Sequence, residues 1–433
     1  MANKVDELKL GDVLISLKTG LNPRKNFTLN TADANNWYVT VRELNGTGVD
    51  FLPQTDKVND DALKLINNRS NLEVGDVLFS GTGTIGKTAI ITSKPTNWNI
   101  KEGVYVLKPN KQKIDPYYLL CQLNYYGKMG VFDKQTGGST VFSIPMKVLA
   151  DTKIFLPTLE GQKRIGNIIS LINNKIALNN RINSELEEAA KLIYHYWFIQ
   201  YDFPNTNSKP YKSSGGKMIY SSELKCEIPF NWHALNLADV ISKSGTGLNP
   251  RSNFKLGQGT NYYVTIKNVD NGKVVLDDRC DRIDDEALRI IQKRSDLQKG
   301  DVLFTSIQPV GVTYLIQDRP TNWNINESVF TLRGDYEKVT PEYLFMVLSS
   351  QEMKVYTSNA SAGSVHKGIR HSVLKDYRLA YPGKELIDKF SDIVKPMLRQ
   401  AYLNDEENRE LLKLRDWLLP MLMTGQITVN KDE

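Results

Sequence analysis

LGDVLISLKTGLNPRKNF, residues 10–27, is written a second time as LADVISKSGTGLNPRSNF at residues 237–254. Beyond this pair, WYVTV (37–41) returns as YYVTI (262–266), and SNLEVGDVLF (70–79) returns as SDLQKGDVLF (295–304). PTNWNI stands at 95–100 and again at 320–325. Matches in the same order at a period near 225 mean one folding unit used twice, and a period that long sets the architecture before any single element is considered. Between the anchors, short β-rich runs such as YVTV, DVLF, TAIIT and GVYVLKP are broken by Gly, Asn and Pro, with a short helix expected at DDALKLINN. Each copy therefore reads as an α/β (α+β) domain with a mixed sheet.

The repeat continues into a long amphipathic stretch after each domain. Ile165, Ile172, Leu186 and Ile193 correspond to Phe390, Met397, Leu411 and Leu418 as one row of a heptad-like seam, with Ile168, Ile182 and Ala189 matched by Ile393, Glu407 and Leu414 as the second row. Such a face needs a partner. The partner expected is the duplicate helix, paired antiparallel as a coiled coil that relates the copies by a pseudo-twofold axis. Lys175 and Asn179 in one helix and Gln400 and Asn404 in the other fall on that face as polar, register-fixing residues; the alternative is that they face solvent where the helices diverge. Pro396 is expected to start or kink the second helix. About 39 residues from Glu160 to Phe198 would span roughly 55–60 Å, the length of a spacer.

Composition narrows the class. The chain has 433 residues, 40% hydrophobic and 24% charged, which suits two globular domains and a helical element. Its three cysteines, Cys121, Cys226 and Cys280, form no CxxC pair and read as buried thiols in a reducing compartment. No apolar run reaches membrane-spanning length and the start lacks a signal-peptide core, so a cytoplasmic protein is expected. The net charge of +6 is compatible with nucleic acid without requiring it.

Two strings imitate catalytic motifs. GTGTIGKT (81–88) satisfies the phosphate-loop pattern, but a β-branched run follows it where a helix should begin, and Val312 and Ser306 replace Lys87 and Gly81 in the second copy. Phe79, Gly81 and Gly83 resemble the methyl-donor FxGxG turn, which Phe304, Ser306 and Gln308 do not reproduce. The four histidines, His195, His233, His366 and His371, build no metal site or triad, and no paired carboxylates or nucleophile stand out.

Recognition remains. A duplicated domain on a long spacer suits duplex DNA, whose equivalent surfaces recur about every 34 Å. GTGLNPR places Thr19, Asn22, Arg24 and Asn26, and in the second copy Thr246, Asn249, Arg251 and Asn253, on a Gly/Pro-punctuated loop. Arg suits guanine or phosphate and Asn suits adenine; the alternative is a structural turn whose Arg pairs internally. Two further loops differ between the copies although their flanks match, as in two readers of different sequences. SGTGTIGK (80–87) faces TSIQPVGV (305–312), and QTGGSTVFSIPMK (135–147) faces NASAGSVHKGIRH (359–371). They offer Ser80, Thr82, Thr84, Lys87, Ser139 and Thr140 in one copy, and Ser306, Gln308, Ser364, Lys367 and Arg370 in the other. Loop drift is the competing account.

Over nearly its whole length the chain resembles the specificity subunit of type I restriction-modification systems. The segments that carry the resemblance are PTLEGQKRI (157–165), YWFIQYDFP (196–204), KPYKSSGGKMIYSSELKCEIPFNW (209–232), LLPMLMTGQI (418–427) and GDVLFSGTGTIGK (75–87). Gly383-Lys384-Glu385 departs from the family's Pro-Leu-rich entry to the second helix. The resemblance implies target-recognition domains at 1–157 and 230–382, spacer helices at 158–203 and 383–433, and a linker at 204–229. It also implies a subunit with no catalysis, cofactor or metal of its own. Its domains would each read half of a split, asymmetric double-stranded DNA sequence. Its helices would dock two modification subunits, which bind S-adenosylmethionine and methylate adenine N6, and restriction subunits that translocate and cut DNA with ATP, away from any membrane.

Overall fold

The computed structural model describes residues 8–24, 26–133, 142–270, 272–361 and 368–427. The chain divides into two compact units, one formed by residues up to Leu178 together with those from Glu407 onward, the other by Asn179–Glu406.

In the first unit, β1 (Leu8–Lys9) leads to β2 (Leu14–Thr19), β3 (Asn36–Val39), β4 (Lys57–Val58) and α1 (Asp60–Ser70). Then come β5 (Val77–Ser80), β6 (Thr88–Ile90), β7 (Trp98–Ile100), β8 (Val104–Pro109), α2 (Pro116–Lys128), α3 (Met146–Ala150) and β9 (Lys153–Ile154). One sheet runs β2-β8-β5-β6, all antiparallel. A second, β4-β3-β7, is mixed because β3 and β7 run parallel, in register from Trp37 opposite Trp98 to Val39 opposite Ile100, and β1 pairs with β9. The helix at DDALKLINN forms because Asn59 accepts the Ala62 amide at 3.0 Å and two aspartates favour the positive end of its dipole; it stops at Asn71, left-handed at φ +48°.

After the long helix α4 (Leu159–Tyr194), the second unit adds a hairpin of β10 (Met218–Ser221) and β11 (Cys226–Pro229), followed by β12 (His233–Asn236) and α5 (Leu237–Val240). The repeat then returns as β13 (Ile241–Thr246), β14 (Asn261–Val264), β15 (Val269–Asp270), β16 (Lys273–Val274), β17 (Asp281–Ile283) and α6 (Asp285–Ser295). It closes with β18 (Val302–Thr305), β19 (Thr313–Leu315), β20 (Trp323–Ile325), β21 (Val329–Gly334) and α7 (Pro341–Ser349). Last come α8 (Gln351–Ser361), α9 (His371–Lys375), β22 (Arg378–Tyr381) and α10 (Lys384–Met423). The sheets β13-β21-β18-β19 and β17-β14-β20 repeat the first unit's orders strand for strand.

Helix α4 starts where Thr158 accepts the Gly161 amide at 3.3 Å, and buried Gln162 fastens it to the domain by donating to the Lys113 and Pro157 carbonyls at 3.1 and 2.9 Å. It ends in a π-turn over His195–Ile199. Helix α10 runs unbroken through Pro396, so that proline does not start it; the start lies at Lys384, after Gly383 at φ +91°. In each unit the two helices pack antiparallel. Asn173 approaches Arg415 and Lys175 approaches Glu407 in the first, while Asn183 meets Asn404 and Tyr194 meets Phe390 in the second.

The buried seam corrects one row of the expected pattern. The first row holds, with Ile165, Ile172 and Asn179 buried. The second consists of Ile169, Asn183 and Ala190 in α4, and Val394, Ala401 and Asn408 in α10, each one residue beyond the row read from sequence. Ile393 and Leu414 are exposed instead. Lys175 and Gln400, expected on the seam, are exposed as well: Lys175 pairs with Glu407 at 3.1 Å and Gln400 donates to Asn404 Oδ1 at 2.8 Å. Inside the seam, Asn404 Nδ2 donates to Asn183 Oδ1 at 2.8 Å, and Asn183 Nδ2 donates to Asp405 at 2.8 Å and to the Ala401 carbonyl at 3.1 Å.

Each unit's core takes in the far end of the other copy's helix. Leu419, Leu422 and Met423 pack with Ile165, Ile169 and Leu119 in the first. Ala190, Tyr194, Trp197 and Phe198 pack with Tyr343 and Phe390 in the second.

Candidate nucleic-acid interface

The GTGLNPR loop leaves β2 through Gly20 and β13 through Gly247. A Cβ at these positions would stand 1.9 Å from the Ile100 carbonyl oxygen and 1.7 Å from that of Ile325, so only glycine fits. Leu21 and Leu248 then turn inward onto small cores around Tyr38 and Tyr263, whose hydroxyls donate to the Leu21 and Leu248 carbonyls at 2.6 and 2.7 Å. Burial, with Glu102 and Asp56 nearby, pushes the Tyr38 phenol up and keeps it a donor. Phe27 and Phe254 meet these tyrosines edge-on at 5.7 and 5.5 Å.

The tip is closed by its own asparagines. The Asn26 and Asn253 amides donate to the Pro23 and Pro250 carbonyls, both at 2.6 Å, and their side chains donate to the Asn22 and Asn249 carbonyls at 2.9 and 3.0 Å. Asn26 and Asn253 therefore shape the turn. What the turn presents is Arg24, at φ +20°, and Arg251; both are exposed, and neither makes a hydrogen bond or ion pair among the described residues. The alternative in which this arginine pairs internally is not what the loop does.

The hydroxyls divide into scaffold and surface. Thr19 is buried and donates to the Glu102 carbonyl, while Thr246 donates to the Gly247 carbonyl at 3.0 Å. Ser80 is fully buried; it donates to the Thr84 carbonyl at 2.5 Å and accepts the Lys87 amide at 2.8 Å, tying the β5–β6 turn, as Thr305 does with Pro309 and Val312 in the second unit. Ser306 is buried and donates to the Ser328 carbonyl at 2.8 Å. Thr19, Ser80 and Ser306 are thus corrected from contact candidates to turn-forming groups, because a buried, hydrogen-bonded hydroxyl has little left to offer a ligand. Thr84, Lys87, Gln308 and Arg370 are exposed and Thr82 is half-buried. Ser139, Thr140, Ser364 and Lys367 lie outside the described residues.

The loops that differ most between copies are brought side by side. Thr82 bridges Ser143, the Gly83 amide donates to the Phe142 carbonyl and the Ile144 amide to the Gly81 carbonyl, both at 2.9 Å. In the second unit Ile307 bridges Gly368, and the Ile369 amide donates to the Ser306 carbonyl at 2.8 Å. The turn before β8 joins these loops to the arginine loop: the Gly81 amide donates to the Gly103 carbonyl at 2.9 Å, and Asn22 Nδ2 donates to Glu102 Oε2 at 2.5 Å. Two members went unread in the sequence. Phe142 is 61% exposed beside the Gly83 turn, and Glu102 carries an acid into a surface otherwise furnished with hydrogen-bond donors.

The catalytic look-alikes lose their settings. GTGTIGKT runs into strand β6, and a Cβ at Gly81 would meet the Tyr105 ring at 2.2 Å, so this glycine serves packing. His233 and His371 lie against the Tyr381 and Phe330 rings at 5.2 and 4.1 Å, and burial, with Lys375, pulls His371 down. Among the described residues no group of three His, Cys, Asp or Glu could hold a metal ion, and no helix is long and apolar enough to cross a membrane. Cys121 and Cys280 are buried, but Cys226 is exposed on the β10–β11 hairpin, which corrects the expectation of three interior thiols.

Two copies of one α/β domain, each with three adjoining loops that carry exposed amides and hydroxyls and an arginine with no partner among the described residues, define a duplicated recognition protein. The family model for the type I restriction modification DNA specificity domain matches residues 3–188 and again 229–413, and the chain belongs to that family. It is 22% identical over 412 residues to the specificity subunit of the HindI type I restriction enzyme of Haemophilus influenzae, covering 82% of this chain and 87% of that one. It is 27% identical over 369 residues to the provisionally named MjaX specificity subunit of Methanocaldococcus jannaschii, covering 83% and 80%. Its fold is similar to the crystal structure of the S subunit of a type I restriction-modification system from M. genitalium, with a TM-score of 0.63 at 14% identity over 98% of this chain and 97% of that one.

Proposed function

We propose that the chain is the non-catalytic subunit that gives a type I restriction-modification complex its DNA sequence specificity, with each α/β domain reading one half of a bipartite, asymmetric site. The observation that carries this is the loop cluster built twice on matching scaffolds. Arg24 and Arg251 stand at the same place with no partner among the described residues, while Thr82, Gly83, Thr84 and Lys87 face Ile307, Gln308, Pro309 and Val312 in the other copy. Shared cations supply sequence-independent phosphate attraction, and unlike neighbours supply different base preferences. Asn22, Asn249 and Arg370 complete the proposed contact set, together with Ser139, Thr140, Ser364 and Lys367 from the loops beyond the described residues. Helices α4 and α10 set the unread gap and dock the modification subunits, which supply S-adenosylmethionine and adenine-N6 methylation on a flipped base, and the ATP-driven restriction subunits. The setting is the cytoplasm.

The test is exchange of residues 1–157 for the corresponding domain of another specificity subunit, followed by methylome sequencing of cells carrying the system. One half-site should change while the other half and the gap stay. Alteration of both halves overturns the one-domain, one-half-site reading.

A further inference from the structure

Glu102 is an exposed acid beside Asn22, on a surface that also carries Arg24, Lys87 and Lys101. An acid there repels a phosphate backbone, so its placement needs a compensating role. Its carboxylate accepts from Asn22 Nδ2 at 2.5 Å, and its carbonyl accepts the Thr19 hydroxyl. An ionised carboxylate has no hydrogen to give, so the Asn22 amide can turn only its NH2 toward it, and Oδ1 is left as the free acceptor. The backbone under that amide is fixed on both sides, by Tyr38 on the Leu21 carbonyl and by Asn26 on the Asn22 carbonyl. The amide is therefore held in one of its two orientations before any ligand arrives. The second copy keeps the acid as Glu327 but not the arrangement: Asn249 Oδ1 faces Asn253 Nδ2 at 3.5 Å, and no hydrogen bond joins Asn249 to Glu327 among the described residues.

We propose that Glu102 is a positioning residue that locks the Asn22 amide with its oxygen outward. Asn22 thereby reads an exocyclic amino group, adenine N6 or cytosine N4, at one position of the half-site bound by the first domain. In the major groove an acceptor matches those amino groups and opposes guanine O6 and thymine O4. Adenine also offers N7 to the remaining NH2 hydrogen, whereas cytosine takes the single bond. The inference rests on the DNA-reading function proposed above.

The experiment is selection of bound sequences from a randomised duplex library by the purified full chain, with Glu102→Gln, Asn22→Ala and Glu327→Gln in parallel. For the unaltered chain, one column of one half-site should be confined to A or C, and the base found there distinguishes the two sources of the amino group. Glu102→Gln, whose side-chain amide accepts Asn22 in either orientation, should admit G or T at that column with a loss of preference of about 10-fold or more, as should Asn22→Ala. All other columns should persist, which also shows that the variants fold. Glu327→Gln should leave that column as it was. A column unchanged in Glu102→Gln, absence of any A/C-confined column, or uniform weakening of all columns overturns the positioning role while leaving DNA reading intact. Failure of the unaltered chain to select two half-sites overturns the reading on which it rests.

Discussion

Arg24 and Arg251 sit exposed at the tips of turns that Asn26 and Asn253 hold through the Pro23 and Pro250 carbonyls, so their removal should cost the fold little. Arg24→Ala and Arg251→Ala are each expected to change stability by less than about 0.5 kcal/mol. Each should also weaken DNA binding and lower the slope of log K against log salt by about 1 if the guanidinium meets phosphate. Melting curves together with binding isotherms at several salt concentrations check this; a variant that binds DNA unchanged removes the arginine from the interface. The loop itself was legible because Gly20, Pro23 and their counterparts are conformational demands that sequence states openly. The roles of Thr19, Ser80 and Ser306 were not. A small hydroxyl residue in a loop is equally suited to tying a turn and to touching a ligand, and only burial decides between them. Glu102 escaped for another reason: an acid is discounted on a surface expected to meet phosphates, although it can act through a neighbouring amide.

At the scale of elements, the helices were legible in length and in one row of their seam. From the Ile165 row, a second row four residues on lies about 40° around the helix, and one three residues on lies about 60° the other way. The pattern of large aliphatics fits both. Charge discriminates in α4, where the wrong row passes through Lys175 and the right one through Ile176 and Asn183, but not in α10, where the wrong row holds Glu407 and the right one Arg415. The same shift reveals the partner of Asn404 as Asn183. Asn183→Leu or Asn404→Leu alone leaves a buried amide short of its partner and should cost about 1–3 kcal/mol, while the double variant should recover part of that loss. A denaturation cycle in which the two single effects simply add would refute direct coupling. In the linker beyond α4, Asp202 accepts from the Ser213 hydroxyl at 2.6 Å and from its amide at 2.7 Å, bonds that hold its carboxyl below the usual aspartate range. Because its folded pKa lies below the unfolded one, this stabilisation is present above the unfolded value and lost as pH falls through the folded one. Asp202→Ala should therefore melt earlier than the unaltered chain near neutral pH and converge with it in acid. A gap in melting temperature that does not narrow on acidification would count against the carboxylate as its source.

For the whole molecule, duplication in sequence does not map onto the two compact units one to one. The repeat places Trp197 at the end of the first copy, yet its ring lies 6.0 Å from Phe390 in a core with Tyr343 and Phe198, within the second unit. Leu422, at the end of the second copy, lies in the core of the first. Period and heptad could not show this, because they record which faces are apolar and not which surface each face meets. Exchange of helix ends makes each half of the sequence a structural part of the other's domain, so damage should appear across the repeat. Trp197→Ala should cost about 3–5 kcal/mol and Leu422→Ala about 2–5 kcal/mol through the cavities they leave. Hydrogen exchange read peptide by peptide should show Trp197→Ala loosening strands between 241 and 334 while those between 14 and 109 keep their protection. Leu422→Ala should do the reverse. If each substitution instead loosened the domain of its own copy, the exchanged cores would be wrong.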